Sequence, residues 1–218
     1  MGTLIQKIDS EIERRSLLKH NFYQMWSEGK LAVSHLQGYS KEYFQLVKAV
    51  PKFVENISSV TTETSIKKAM DQNLKEEYEH IEPWIRFANA IGVSTSELVN
   101  YIPANKTNAA VCDLAQLTML SLEESAAAMY AYENELPKIS RSKIDGLKKF
   151  YGINNDTNAV NYFEIHEEAD IRHAATWRNI IQQTTPEKEE LAFNAAIGSL
   201  QAQNKLLDSV QEKYLMTY

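Results

Sequence analysis

Hydrophobic residues recur at helical spacing along nearly the whole chain. Residues 3–19 place Leu4, Ile5, Ile8, Ile12, Leu17 and Leu18 among charged neighbours, the pattern of an amphipathic helix. Residues 20–28 and 34–49 are dense in aromatics and are separated at Gly29. Pro51 predicts a kink or break, because proline has no N–H to give to the helix. The pattern from 62 to 91 reads as one long helix with Pro83 inside it, closed by Gly92. Ser94-Thr95-Ser96-Glu97 then forms a capping box for the next helix. An alanine- and leucine-rich run, 107–135, predicts another long helix, broken or bent at Pro137 and resuming to Phe150. Asp156 is the expected N-cap of a helix over 157–183. Thr185-Pro186 opens a last helix reaching about Tyr214. No segment alternates like a strand. The expected architecture is all-α: one domain over 1–218, a bundle of seven to eight helices.

Composition narrows this further. With 218 residues the chain can bury one sizeable core, and seven glycines and five prolines are too few for turn-rich β structure. A net charge of -6 gives no electrostatic support for binding nucleic acid or an anionic membrane. No apolar run approaches the roughly 20 residues of a membrane span. The first residues lack the apolar core of a signal peptide. The lone cysteine, Cys112, rules out an internal disulfide, reads as a small core residue, and makes a cytoplasmic location the expectation.

The candidate chemistry lies on the helices. His166, Asp170 and His173 stand at i, i+4 and i+7, on one helical face. Read as surface groups they need no explanation. Yet Tyr162, Phe163 and Ala169 lie close by, and burying two imidazoles and a carboxylate without a partner is strongly unfavourable. A metal ion supplies that partner. His80 follows Glu77 at i+3 and Glu76 at i+4. The Glu-x-x-His spacing is the one used in ferritin-like di-iron proteins, and either glutamate fits. Glu133 closes the apolar run Ala126–Tyr132 and is expected to be buried or paired. Three histidines and three carboxylates on helices are the ligand supply of a non-haem di-metal site. Phe22, Tyr23, Trp26, Tyr39, Tyr43 and Phe44 form an aromatic cluster whose first use is packing. By composition alone Lys143 reads as a surface lysine.

Several segments are similar to the haem-oxygenase-like di-metal oxidases, built on the TenA/PqqC-like scaffold. They are His20–Leu31 (HNFYQMWSEGKL), Tyr39–Tyr43, Ala49–Lys52, Asn73–Glu77, His80–Trp84, Tyr132–Ile139 and Tyr162–His173. Within that family the chain most resembles the chlamydial protein associating with death domains. The resemblance implies a seven-helix bundle holding two metals rather than haem, either iron–iron or manganese–iron. Glu77 (or Glu76), His80, Glu133, His166, Asp170 and His173 would be the ligands. One group of the family is associated with making 4-aminobenzoate, the folate precursor, by consuming its own side chains. The family's ring-donating tyrosine falls on Tyr23 and its nitrogen-donating lysine on Lys143, with Tyr39 and Tyr43 as further family tyrosines. Molecular oxygen and a reductant would be the partners. The segment between the glutamate pair and His80 is shorter by about a turn than in the chlamydial protein, which keeps Glu76 open as a ligand. The chain also lacks an extended cysteine-bearing tail, so the death-domain interaction is not expected to transfer.

Other readings are an oxidase for an external small molecule, a metal-free TenA-like thiamin-salvage hydrolase, and a non-catalytic interaction protein. Leu200, Leu206, Leu207 and Val210 on the last helix would either complete the core or form a homodimer interface.

Overall fold

A computed structural model describes residues 2–153 and 157–216. Its helices are α1 (Leu4–Arg14), α2 (Asn21–Ser27), α3 (Val33–Val60), α4 (Thr64–Glu79), α5 (Ile81–Ala90) and α6 (Thr95–Val99), followed by α7 (Asn105–Leu117), α8 (Leu122–Glu133), α9 (Leu136–Phe150), α10 (Thr157–Ile181) and α11 (Glu189–Tyr214). Short 3-10 turns at Leu17–Lys19 and Pro186–Lys188 precede α2 and α11. No strand occurs among the described residues. No helix is long and apolar enough to cross a membrane.

Helix α8 is the axis of the bundle. Every residue from Ser125 to Glu133 is buried, so it has no solvent face. Ala126, Ala127 and Ala128 let the long helices α10 and α11 pack closely on it. Helix α11 also lies against α7 and α1, and α10 against α9 and α5. Leu200, Leu206, Leu207 and Val210 are all buried within this chain, so they complete the core. Helix α3 closes the bundle by packing on α4, α7 and α5.

Several boundaries differ from expectation, each for a physical reason. The break expected at Pro51 is absent, and α3 runs through it. The cost is one missing hydrogen bond, and the buried residues Val50, Phe53, Val54 and Ile57 offset it. The helix expected over 62–91 is divided at His80, which ends α4 and starts α5. Pro83 has no N–H for the Glu79 carbonyl, so the ladder stops there and Pro83 falls in the first turn of α5, where no donor is needed. The run over 107–135 is also divided. Ser121 accepts from the Glu124 N–H while Glu124 reaches back to Ser121 N, a full capping box that starts α8 afresh. Cys112, expected in the core, is exposed. Helix α7 buries Thr107, Ala110 and Leu114, and residue 112 falls on the opposite side. The proposed cap Asp156 lies outside the described residues.

Candidate metal centre

Helices α4, α8 and α10 bring the six expected groups together in the interior. Glu77, His80, Glu133, His166, Asp170 and His173 are all buried, the last two at 1% exposure. They form two triads of potential ligand atoms: Glu77, His80 and His166, and Glu77, Asp170 and His173. In each triad the atoms lie within 4.8 Å of one another. Glu77 belongs to both, so one carboxylate would serve both groups. Glu133 stands beside the second triad, where its charge acts on Asp170 and feels those of Glu77 and His173.

The outer partners fix which atom of each ligand faces inward. His166 Nδ1 donates to the Tyr162 carbonyl at 2.7 Å, which leaves the Nε2 lone pair for a ligand. His173 Nε2 donates to Glu76 Oε2 at 2.7 Å, which leaves Nδ1. Glu76 also holds Arg172 at 3.1 Å and Gln72 at 2.8 Å. Its carboxylate is therefore engaged at the rim, and Glu77 is the one turned inward. Glu133 Oε2 accepts from Trp177 Nε1 at 2.5 Å. His173 Nδ1 lies 3.2 Å from Glu77 Oε1, and His80 Nδ1 3.4 Å from Glu77 Oε2, both too misaligned for hydrogen bonds.

A metal fits this donor set. His80 Nδ1, His173 Nδ1, Asp170 Oδ2 and Glu133 Oε1 are buried without a hydrogen-bond partner. Four such atoms in one place would be costly in a finished protein interior unless a cation satisfied them. The electrostatics tell the same story. Burial pushes the Glu133 carboxyl up to about 8, with Glu77 adding repulsion. Burial and the charges of Glu133 and Glu77 raise Asp170 well above the carboxylate range. Burial and the neighbouring His80 lower His166 to about 3. Burial also opposes charge on His173, but Glu77, Glu133 and Asp170 outweigh it and push it to about 10. Burial opposes ionisation of Glu77 too, yet His173 and His80 hold its carboxyl well below the usual range. Mixed imidazole and carboxylate donors suit iron and manganese.

A second cluster adjoins this one. Lys143, read from composition as a surface residue, is 4% exposed on the inner face of α9. Its Nζ is 2.7 Å from the Tyr39 hydroxyl, which is 3.1 Å from the Tyr23 hydroxyl. The same Nζ stands 4.7 Å above the centroid of the Tyr23 ring and 5.1 Å from that of Tyr43. Burial alone pulls the Lys143 ammonium far below its ordinary value, which favours the neutral amine. Burial and Tyr43 raise Tyr23 against the opposing hydrogen bond with Tyr39, and burial and Tyr23 raise Tyr39. Tyr43 lies between the clusters: its ring is 5.2 Å from Tyr39, and it feels the charges of Asp170 and Glu77.

Sequence reasoning assigned no role to Tyr132, Tyr162 or Trp177. Tyr132 hydrogen-bonds Tyr43. Tyr162 lies against His166, ring centroids 4.1 Å apart. The signal for two of them was there. Tyr162 precedes His166 by four residues and Trp177 follows His173 by four, so one stripe of α10 runs Tyr162, His166, Asp170, His173, Trp177.

Residues 37–204 match the protein family described as iron-containing redox enzymes. A 4-aminobenzoate synthase of Chlamydia muridarum is 33% identical over 213 residues, covering 95% of this chain and 90% of that protein. A 4-aminobenzoate synthase of Nitrosomonas europaea is 32% identical over 229 residues, covering 98% and 93%. Among solved structures, a domain with a haem-oxygenase-like fold from Shewanella denitrificans superposes with a TM-score of 0.83 at 16% identity, covering 98% of this chain and 92% of that one.

Proposed function

The chain belongs to the iron-containing redox enzymes of haem-oxygenase-like fold, and on that footing we propose that it makes 4-aminobenzoate from its own Tyr23 and Lys143. The observation that carries the reading is the buried Lys143–Tyr39–Tyr23 contact set beside two ligand triads that share Glu77.

The product's chemistry fits these side chains. 4-Aminobenzoate carries a carboxyl and an amino group para on one ring. A tyrosine side chain carries a carbon and an oxygen in the same relation. Conversion requires the Tyr23 Cα–Cβ bond to break and Cβ to be oxidised to a carboxylate, and it requires the Lys143 Cε–Nζ bond to break as nitrogen replaces the phenol oxygen, which leaves as water. Two iron ions, or one manganese and one iron, held by Glu77, His80, Glu133, His166, Asp170 and His173, would supply the oxidising power from molecular oxygen and a reductant. The remaining work falls to the protein. Burial favours the unprotonated Lys143 amine, whose lone pair the reaction needs. Tyr39 holds that amine and the Tyr23 hydroxyl on one oxygen. Packing of Phe22, Trp26 and Phe163 around them excludes water that would compete with the amine. Tyr43, Tyr132 and Tyr162 provide oxidisable rings between the ligands and Tyr23.

The test is anaerobic reconstitution with Fe(II), with and without Mn(II), followed by oxygen and a reductant. The expected result is 4-aminobenzoate without added substrate, at no more than one per chain, with a matching loss in intact protein mass. Bound metal with no product and an unchanged mass would defeat the reading and point to an external substrate.

A further inference from the structure

We propose that the groove between the α8–α9 corner and the middle of α10 is the route by which divalent cations reach the centre. This rests on the metal reading above. The candidate ligands are sealed inside the bundle, so a cation must cross its wall. One cavity, of about 210 Å³, reaches a ligand from outside. Tyr130, Asn134, Pro137, Ala174 and Arg178 bound it, and so does Asp170. Asp170 is 1% exposed, and its Oδ2 is buried without a partner. The groove is open to solvent and roomy enough for a hydrated cation to enter.

The approach is graded in charge. A neighbouring cavity of about 370 Å³ shares Tyr130, Asn134 and Arg178 and adds Asp9, Glu13 and Glu135. These three carboxylates, opposed by Lys138 and Arg178, leave one negative charge in excess in an outer basin that favours cations. Arg178 stands at the neck between the two. Its Nη1 donates to the Tyr130 hydroxyl at 2.9 Å, and that hydroxyl donates to Asp9 Oδ1 at 2.7 Å. Its guanidinium opposes a passing cation; it is 45% exposed and held by Tyr130 and by Asp9 Oδ2 at 3.7 Å. Neither cavity is lined by Glu77, His80 or His166. An incoming ion therefore meets Asp170 before any of those three.

The test follows Fe(II) uptake by metal-free protein in competition with a chromogenic chelator, with final metal content measured by elemental analysis. Ala175 sits exposed on the cavity wall, so Ala175→Trp blocks the groove without entering the core. Its uptake should be at least tenfold slower (about 1.4 kcal/mol of barrier), with the same final content. Arg178→Gln should take up iron several-fold faster than wild type. Both variants loading at the wild-type rate would overturn the route. So would a lower final content in Ala175→Trp, since a blocked path changes a rate and not an equilibrium. A wild-type protein that binds no metal would instead defeat the metal reading itself.

Discussion

Replacing Lys143 with methionine should make the metal-free protein more stable near neutral pH, and the gain should shrink as pH rises. Lys143 is buried, and burial alone depresses its basicity. The native state therefore holds the amine neutral, while the unfolded chain, with an ordinary lysine, binds the proton up to about pH 10.4. Between the depressed native value and that upper limit the unfolded state binds up to one proton more, so wild-type stability rises with pH. The slope for one proton is about 1.4 kcal/mol per pH unit, or about 2 kcal/mol between pH 8 and pH 9.5. Methionine has no such dependence. It also forfeits the 2.7 Å hydrogen bond to Tyr39, a pH-independent loss of about 1 kcal/mol. Thermal melts of both proteins at the two pH values read the difference directly. For a chain of this length about 2 kcal/mol corresponds to roughly 4–8 °C, so the melting temperatures should converge by that amount. A constant offset between the curves would show that Lys143 is not held neutral, and the amine would lose its free lone pair.

Other outcomes follow from the same geometry. Glu77→Gln should abolish binding of both ions, because Glu77 serves both triads, whereas Glu76→Gln should weaken binding about 10–100-fold through His173 alone. Chelator competition separates the two, and equal losses would refute the assignment. Trp177→Phe leaves Glu133 Oε2 without its donor and should lower metal affinity by about the same 10–100-fold, read by the same competition. Tyr39→Phe keeps the ring but removes the shared hydroxyl; metal content should be unchanged and 4-aminobenzoate yield should fall about tenfold or more, equivalent to about 1.4 kcal/mol.

What could be read from the sequence was what lies on one element. His166, Asp170 and His173 share α10, so their spacing alone placed them on one face. Glu133 was legible because so apolar a helix as α8 leaves its last carboxylate no solvent. The choice between Glu76 and Glu77 was not legible. Neighbouring helical residues point about 100° apart, and which one faces α10 depends on how α4 is rotated in the bundle. The buried state of Lys143 was equally hidden. Helix α9 is strongly amphipathic, but only its docking on α10 and α2 decides that position 143 turns inward. Two boundaries have local signals in the sequence: Pro83 in the first turn of α5, and the Ser121–Glu124 box. Pro51 is the reverse case, where tertiary packing overrides a local breaker.

Self-consumption is decided by where the atoms of the product come from. The protein should be made with ring-labelled ¹³C-tyrosine and side-chain-labelled ¹⁵N-lysine, reconstituted with unlabelled iron and manganese, and exposed to oxygen and a reductant in unlabelled buffer. 4-Aminobenzoate should carry both labels, and the protein should lose mass at the peptides that contain Tyr23 and Lys143. Product carrying neither label, or a protein whose Tyr23 and Lys143 peptides are unchanged after product forms, would contradict self-consumption.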